Sequence, residues 1–279
     1  MKIFKYKTEL QSYLLKINET NIISFVPTMG SLHIGHISLI KKAKENSDLV
    51  ICSIFVNPTQ FNNLEDLEKY PRSINADILL LESENTDVLY LPDTKDLYSK
   101  DEVLKQFKFN GLDNFMEGVT RKNHFNGVAT IVEKLFMIIQ PNLSYFGEKD
   151  LQQLQIIKYI TKQLNLPVKI IGLPTVREDS GLAMSSRNNL LSNSDKKKAI
   201  LIFKTLKYIK ENSEKIPVLI LKEKAINLFE NQSELTLEYL EIVDLKNLSP
   251  ITLLGSQGTN AACISASISS VRLIDNIIF

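Results

Sequence analysis

Along the first two thirds of the chain, short runs of β-branched and aromatic residues alternate with stretches whose apolar positions recur every three or four residues. The runs at residues 22–26, 50–56, 87–91, 143–146 and 168–173 read as strands, and residues 35–45, 73–82, 127–139, 150–163 and 195–211 read as helices. These strands are continuous apolar runs rather than alternating ones. They are therefore expected to be buried on both faces, in a parallel sheet covered by helices. From about Val176 the character changes. A polar stretch, Arg177-Glu178-Asp179-Ser180-Gly181, leads through Ser185-Ser186-Arg187-Asn188-Asn189 to a lysine-rich helix start. A second amphipathic helix at 218–230 and strand-like runs at 235–243, 261–267 and 271–278 follow. The pattern predicts an α/β protein with two domains: a parallel-sheet domain over residues 1–176 and a smaller α+β domain over residues 177–279.

Composition narrows the picture without changing it. At 279 residues, 44% hydrophobic and 23% charged, the chain fits a soluble globular protein of one large or two ordinary domains. A net charge of +1 argues against a nucleic-acid surface, so any attraction for a polyanion must be local. Cys52 and Cys263 both sit in apolar runs and read as small buried hydrophobes in a reducing compartment, not as a disulfide or a metal pair. The N-terminal residues lack the apolar core of a signal peptide, and no apolar run is long enough to span a membrane. The expected location is cytoplasmic, with no membrane partner.

Open α/β sheets bind ligands beyond the carboxyl ends of their strands, and the chemistry-bearing segments fall there. After the first strand comes Pro27-Thr28-Met29-Gly30-Ser31-Leu32-His33-Ile34-Gly35-His36. A strand that stops and restarts as a helix here places free backbone N–H groups and two imidazoles at a helix N-terminus, which favours anions. His33 and His36 are three residues apart, so both face one side of the first turn. They are two of only 3 histidines in the chain. The arrangement suits a nucleoside triphosphate and makes the sheet domain Rossmann-like, although histidines can also sit in a turn incidentally.

After the second strand, Asn57-Pro58-Thr59-Gln60 offers neutral donors and acceptors that suit hydroxyls or a carbonyl, or else forms an ordinary Asn-Pro turn. After a later strand, Gly147-Glu148-Lys149-Asp150-Leu151-Gln152-Gln153 opens a helix, with Asp150 a candidate N-cap and Lys149 a mobile positive charge for a phosphate. Met184-Ser185-Ser186-Arg187 supplies two hydroxyls and a guanidinium that could clamp a pentavalent phosphorus. Residues 121–128, which hold Arg121 and the third histidine, His124, read as a loop that adds positive charge or simply joins domains.

In order and spacing these segments resemble the pantoate–β-alanine ligase (pantothenate synthetase) family. The His33-Ile34-Gly35-His36 and Met184-Ser185-Ser186-Arg187 pair is similar to the two signatures of the wider nucleotidyltransferase superfamily that includes class I aminoacyl-tRNA synthetases. The resemblance runs from about residue 20 to Arg272-Leu273-Ile274-Asp275-Asn276. It implies a two-step reaction. Pantoate attacks the α-phosphorus of ATP, with Mg²⁺ on the phosphates, to give a pantoyl adenylate and pyrophosphate. The amine of β-alanine then displaces AMP to give pantothenate.

By the same resemblance, ATP is held by residues 29–36 (Met29, Gly30, Ser31, Leu32, His33, Ile34, Gly35, His36), by Gly147, Glu148, Lys149 and Asp150, by Val176, and by Met184, Ser185, Ser186 and Arg187. Pantoate is held by Asn57, Gln60 and Gln153, with Gln60 also near β-alanine. His33, His36, Lys149 and Arg187 carry the catalysis, no protein metal site is expected, residues 177–279 form a lid, and the assembly is a homodimer.

The chain departs from the family pattern at Lys122-Asn123, where the family has Pro-Gly. It departs again at Asn189-Leu190, where the family has Gly-Tyr, and at Ser269-Ser270-Val271, where it has Gly-Thr-Thr. A tRNA synthetase is disfavoured by the short chain and near-neutral charge. A transferase acting on a phosphorylated acceptor would need a cationic pocket where Asn57, Gln60 and Gln153 are neutral. A non-catalytic nucleotide-binding relative would be expected to lose His36, Lys149 or Arg187, and all three are present.

Overall fold

A computed structural model describes every residue except 18, 19, 101 and 231–233. By contacts the chain divides into two compact units: Met1–Asn110, Thr120–Glu148 and Gln153–Pro174 make the first, and Gly111–Val119, Lys149–Gln152 and Thr175–Phe279 the second.

The first unit is built on a six-stranded sheet of β1 (Lys2–Phe4), β2 (Ile23–Thr28), β3 (Leu49–Ile54), β4 (Val88–Tyr90), β5 (Leu143–Gly147) and β6 (Lys169–Leu173). The strand order is β1-β4-β3-β2-β5-β6, and every pairing is parallel. Each residue of β3 is buried, as a strand covered on both faces requires. The helices up to residue 163 are α1 (Lys7–Leu14), α2 (Ile34–Glu45), α3 (Leu64–Lys69), α4 (Ile74–Ser83), α5 (Thr94–Leu97), α6 (Glu117–Thr120), of which residues 117–119 count with the second unit, α7 (His124–Ile139) and α8 (Leu151–Gln163), of which residues 151 and 152 do. One core cluster packs Val128, Val132, Leu135 and Phe136 of α7 against Phe25 and Ile51; another packs Leu39, Ile40 and Ala43 of α2 against Val26, Val50 and Cys52. Between β2 and β5 the strand order changes direction, since β3 and β4 lie on one side and β6 on the other. The carboxyl ends of β2 and β5 therefore flank the crevice where such sheets take ligands.

The second unit holds α9 (Asn193–Asn212) and α10 (Val218–Glu230) against an antiparallel sheet of β7 (Leu235–Asp244), β8 (Asn260–Ile268) and β9 (Val271–Ile278). Its core joins Ile202, Leu206 and Ile209 of α9 to Ile264, Ala266 and Leu273. β8 and β9 are joined by Ser269 and Ser270, both left-handed with φ of 46° and 66°.

Two local expectations are corrected. The helix after β5 does not start at Asp150: a 3-10 turn at Glu148–Asp150 comes first and α8 begins at Leu151. Residues 124–127 are not loop but the first turn of α7, because buried His124 and Phe125 pull the helix start forward. β1 and α1 are too short or too polar to show a pattern along the chain.

Candidate active site

In the first unit, the chain leaving β2 is pinned before it becomes α2. Thr28 Oγ donates to the Ser53 carbonyl at 2.7 Å and accepts the Gly30 N–H at 3.2 Å. Gly30 and Ser31 are both left-handed, with φ of 81° and 49°. A Cβ at Gly30 would sit 2.9 Å from Ile54 Cγ2, so only glycine fits both the dihedral and the space. What holds Ser31 in a conformation disfavoured for a residue with a Cβ is Asp77 of α4. Its buried carboxylate accepts the Ser31 and Leu32 N–H groups, each at 2.8 Å, and the Ser73 hydroxyl at 3.1 Å. Sequence reasoning missed Asp77; it lies in a helix whose apolar pattern draws the eye, 46 residues from the amide that it meets.

Helix α2 then opens with a reciprocal cap made by its two histidines. The Gly35 N–H donates to His33 Nδ1 at 3.1 Å, and the His33 N–H donates to His36 Nδ1 at 3.3 Å. The rings lie 4.0 Å apart. A backbone N–H can only donate, so each Nδ1 is an acceptor and each neutral ring carries its proton on Nε2. Both imidazoles are thus fixed as N–H donors at the positive end of a helix. Ile34 is exposed, and Met29, Leu32 and Gly35 are half-buried beside them.

The turn after β3 forms a tight network. Asn57 is buried; its amide donates to Gln60 Oε1 at 3.2 Å and to the Gly127 carbonyl at 3.1 Å, while its oxygen accepts the Tyr98 and Thr59 hydroxyls at 2.8 and 3.1 Å. All four of its hydrogen-bonding positions are met by protein, which fixes the Gln60 amide with its NH₂ toward Met29 Sδ at 3.1 Å. α7 reaches this turn because residue 127 is glycine, where a Cβ would lie 2.3 Å from the Thr59 carbonyl oxygen. His124 Nδ1 donates to the Gln60 carbonyl at 2.8 Å, leaving Nε2 to accept from Arg121 at 3.1 Å. At the end of β5, a Cβ on Gly147 would meet nothing within 4 Å. Glu148 follows in the 3-10 turn, and Gln153 lies half-buried in the first turn of α8. The Asn123 backbone is left-handed, with φ of 61°, a conformation that asparagine tolerates better than most residues with a Cβ.

In the second unit, Lys149 Nζ lies 3.1 Å from Asp150 Oδ1. Residues 176–184 fold back on themselves: Met184 N–H donates to the Val176 carbonyl at 2.9 Å, and Arg177 pairs with Ala183. Ser185 then caps the turn Ser186–Leu190 by accepting the Arg187 N–H at 3.3 Å. Ser186 is buried and Arg187 half-buried. Among the described residues, no group of three or more His, Cys, Asp or Glu side chains could hold a metal ion, and no helix is long and apolar enough to cross a membrane.

The whole chain has counterparts among known proteins. A family model described as pantoate-beta-alanine ligase matches residues 2–278. A pantothenate synthetase of Azobacteroides pseudotrichonymphae is 48% identical, with all of both chains aligned, and one of Christiangramia forsetii is 46% identical over 99% of each. The crystal structure of pantothenate synthetase from Thermus thermophilus superposes with a TM-score of 0.93 at 35% identity, covering 100% of this chain and 99% of that one. The Francisella tularensis pantoate-beta-alanine ligase, in complex with beta-gamma ATP and beta-alanine, superposes with a TM-score of 0.83 at 37% identity over 100% and 97%. Matched along its length in both sequence and fold, the chain belongs to the pantoate–β-alanine ligase family.

Proposed function

We propose that this chain joins pantoate to β-alanine at the expense of ATP, releasing AMP and pyrophosphate through a pantoyl adenylate. The observation that carries the reading is the histidine pair at the head of α2, two N–H donors locked in place by the backbone they cap. In the first step a pantoate carboxylate oxygen bonds to the α-phosphorus, the bond to the bridging oxygen breaks, and pyrophosphate leaves with that electron pair. A carboxylate needs no base to attack. The demand is therefore for stabilisation of charge on the phosphates, which fixed donors in a partly desolvated site supply. His33 and His36 donate from Nε2, and Lys149 and Arg187 bring full positive charges. Residues 29–36 and 147–150, Val176, and residues 184–187 hold the nucleotide.

Gln60 and Gln153 take the pantoate hydroxyls and carboxylate, with Asn57 beside them fixing which way the Gln60 amide faces. In the second step the β-alanine amine, near Gln60, attacks the acyl carbon, loses a proton, and expels AMP. The binding of beta-gamma ATP and beta-alanine by the Francisella tularensis ligase supports both substrates. Mg²⁺ enters as part of the nucleotide substrate, on its phosphate oxygens, where it neutralises charge as pyrophosphate departs. Residues 1–176 are assigned to ATP and pantoate binding and residues 177–279 to a lid, in a cytoplasmic homodimer without nucleic-acid partners.

The test is pyrophosphate release from MgATP, with pantoate alone and then with β-alanine. A single-turnover burst with pantoate that becomes steady AMP and amide formation on adding β-alanine is expected. Absence of pantoate-dependent pyrophosphate would overturn the acid assignment.

A further inference from the structure

Within the second unit, the most deeply buried acid of the C-terminal sheet has no part in the chemistry above. Asp275 of β9 is 4% exposed. It faces Arg177 in a two-pronged ion pair, with Nη1–Oδ2 at 2.6 Å and Nη2–Oδ1 at 3.1 Å. The same guanidinium donates to the carbonyls of Gly181 and Asn276 at 3.2 and 3.1 Å and lies 4.1 Å from the centre of the Phe203 ring. Its neighbour in sequence, Asn276, donates through its side-chain amide to the Lys149 carbonyl at 2.8 Å. Asp275 Oδ1 in turn accepts the Asn276 N–H at 2.8 Å. Two adjacent residues of one strand thus grip both segments of this unit assigned to the nucleotide: the backbone of Lys149, and through Arg177 the ribbon that runs from Val176 to Met184 and on to Arg187.

An ion pair this buried is weak evidence of stabilisation, because desolvating both charges costs about as much as their attraction returns. Burial pushes the Asp275 carboxyl above its ordinary value even with Arg177 opposing the shift. What such a pair does provide is direction. A planar guanidinium held at both nitrogens, stacked on a ring and bonded to two carbonyls has a single orientation, and the backbone on either side of it inherits that orientation.

We propose that Asp275 and Asn276 are positioning residues for adenylate formation, holding Lys149 and the segment that ends at Arg187 where the phosphates require them. The proposal rests on the assignment of Lys149 to the phosphates. The test is a double-mutant cycle in the full-length protein, with Asn276→Ala, Lys149→Ala and the pair, reading pantoate-dependent pyrophosphate release and the KM for each substrate. Asn276→Ala should lower turnover at least tenfold, leave the KM for β-alanine within twofold, and have no further effect in the Lys149→Ala background, where the side chain it aims is gone. Asp275→Asn, which keeps the shape and removes the charge, should act in the same direction on the ATP-dependent step.

Turnover of Asn276→Ala within twofold of wild type overturns the proposal. So does a loss that multiplies with that of Lys149→Ala, or one accounted for by a smaller folded fraction with unchanged KM values. If Lys149→Ala alone retains full activity, the phosphate assignment itself fails and this proposal falls with it. That outcome is distinct from a normal Lys149→Ala defect beside an active Asn276→Ala.

Discussion

The two imidazoles at residues 33 and 36 differ in kind from histidines poised to exchange protons, because each spends one nitrogen on a backbone N–H. Replacing His36 with alanine removes a donor and half of the reciprocal cap together. Loss of one fixed donor to a developing oxyanion typically costs roughly 3 kcal/mol, about a hundredfold in rate. Adenylate formation in His36→Ala should fall by about that factor, with the far-ultraviolet circular dichroism spectrum unchanged; near-normal turnover would remove the histidine from the mechanism. The thiols give a second residue-level test. Cys52 and Cys263 are buried, and burial pushes both up to about 12. At pH 8 neither should react with a chromogenic disulfide in the native protein, and both should react after unfolding. A rapidly titrating native thiol would contradict the burial. The histidines and cysteines were legible in the sequence because residue type and near neighbours define them. Asp77 was not, since its role depends on an amide brought to it by the sheet and no local pattern marks that meeting.

Elements with a full hydrophobic period declared themselves. Helix α10 falls on the predicted 218–230, because it shows an apolar face to the core, and β9 on 271–278, where Val271, Leu273 and Ile277 pack into the same cluster. The short β1 offers three residues, and the start of α7 is set by His124 bonding to a carbonyl 64 positions away, so neither could be read from spacing alone. The turn between β8 and β9 shows where the chain has settled for less than the optimum. Both of its central residues have positive φ, the geometry of a type I′ hairpin that favours Asn-Gly, yet both are serine. The double substitution Ser269→Asn with Ser270→Gly should stabilise the second unit by about 1 kcal/mol, seen as a rise of roughly 4 °C in its melting temperature. A lower melting temperature would mean that the serines are held by something other than their dihedrals.

At the scale of the whole molecule, the units are not cut at one point in the chain. Gly111–Val119 and Lys149–Gln152 belong with the C-terminal residues. Chemistry explains the recruitment. Buried Glu117 is clasped by Arg272, with Nη2–Oε1 at 2.6 Å and Nη1–Oε2 at 2.8 Å, and accepts the Tyr239 hydroxyl at 2.7 Å. Gln152 bonds the carbonyls of Leu112 and Phe115 and accepts the Glu117 N–H. A boundary near Val176 follows from the change in composition, but nothing in composition reveals that a glutamate 155 positions earlier completes the later unit. A fragment of residues 177–279 would leave Arg272 with Glu238 alone, and Tyr239 and Arg272 without the Glu117 carboxylate that both of them reach. Expressed alone, the fragment should lack the cooperative thermal transition that the intact chain shows. A sharp transition in the fragment would show that the recruited segments are dispensable.

The place of β9 in the order of synthesis has a consequence of its own. A ribosome delivers Glu117, Lys149 and Arg177 long before Arg272, Asp275 and Asn276, so two charged side chains and one backbone carbonyl must wait in water for counterparts on a single late strand. Contacts so distant in sequence form slowly, because loop closure must come before they are rewarded. A nonsense codon just upstream of β9 would therefore release a polypeptide that keeps the segments at 27–36, 57–60, 147–153 and 184–187 and every strand of the six-stranded sheet, but leaves those groups without the strand that orients them. Ribosome stalling or truncation there would cost the cell a catalyst while leaving its most recognisable half intact.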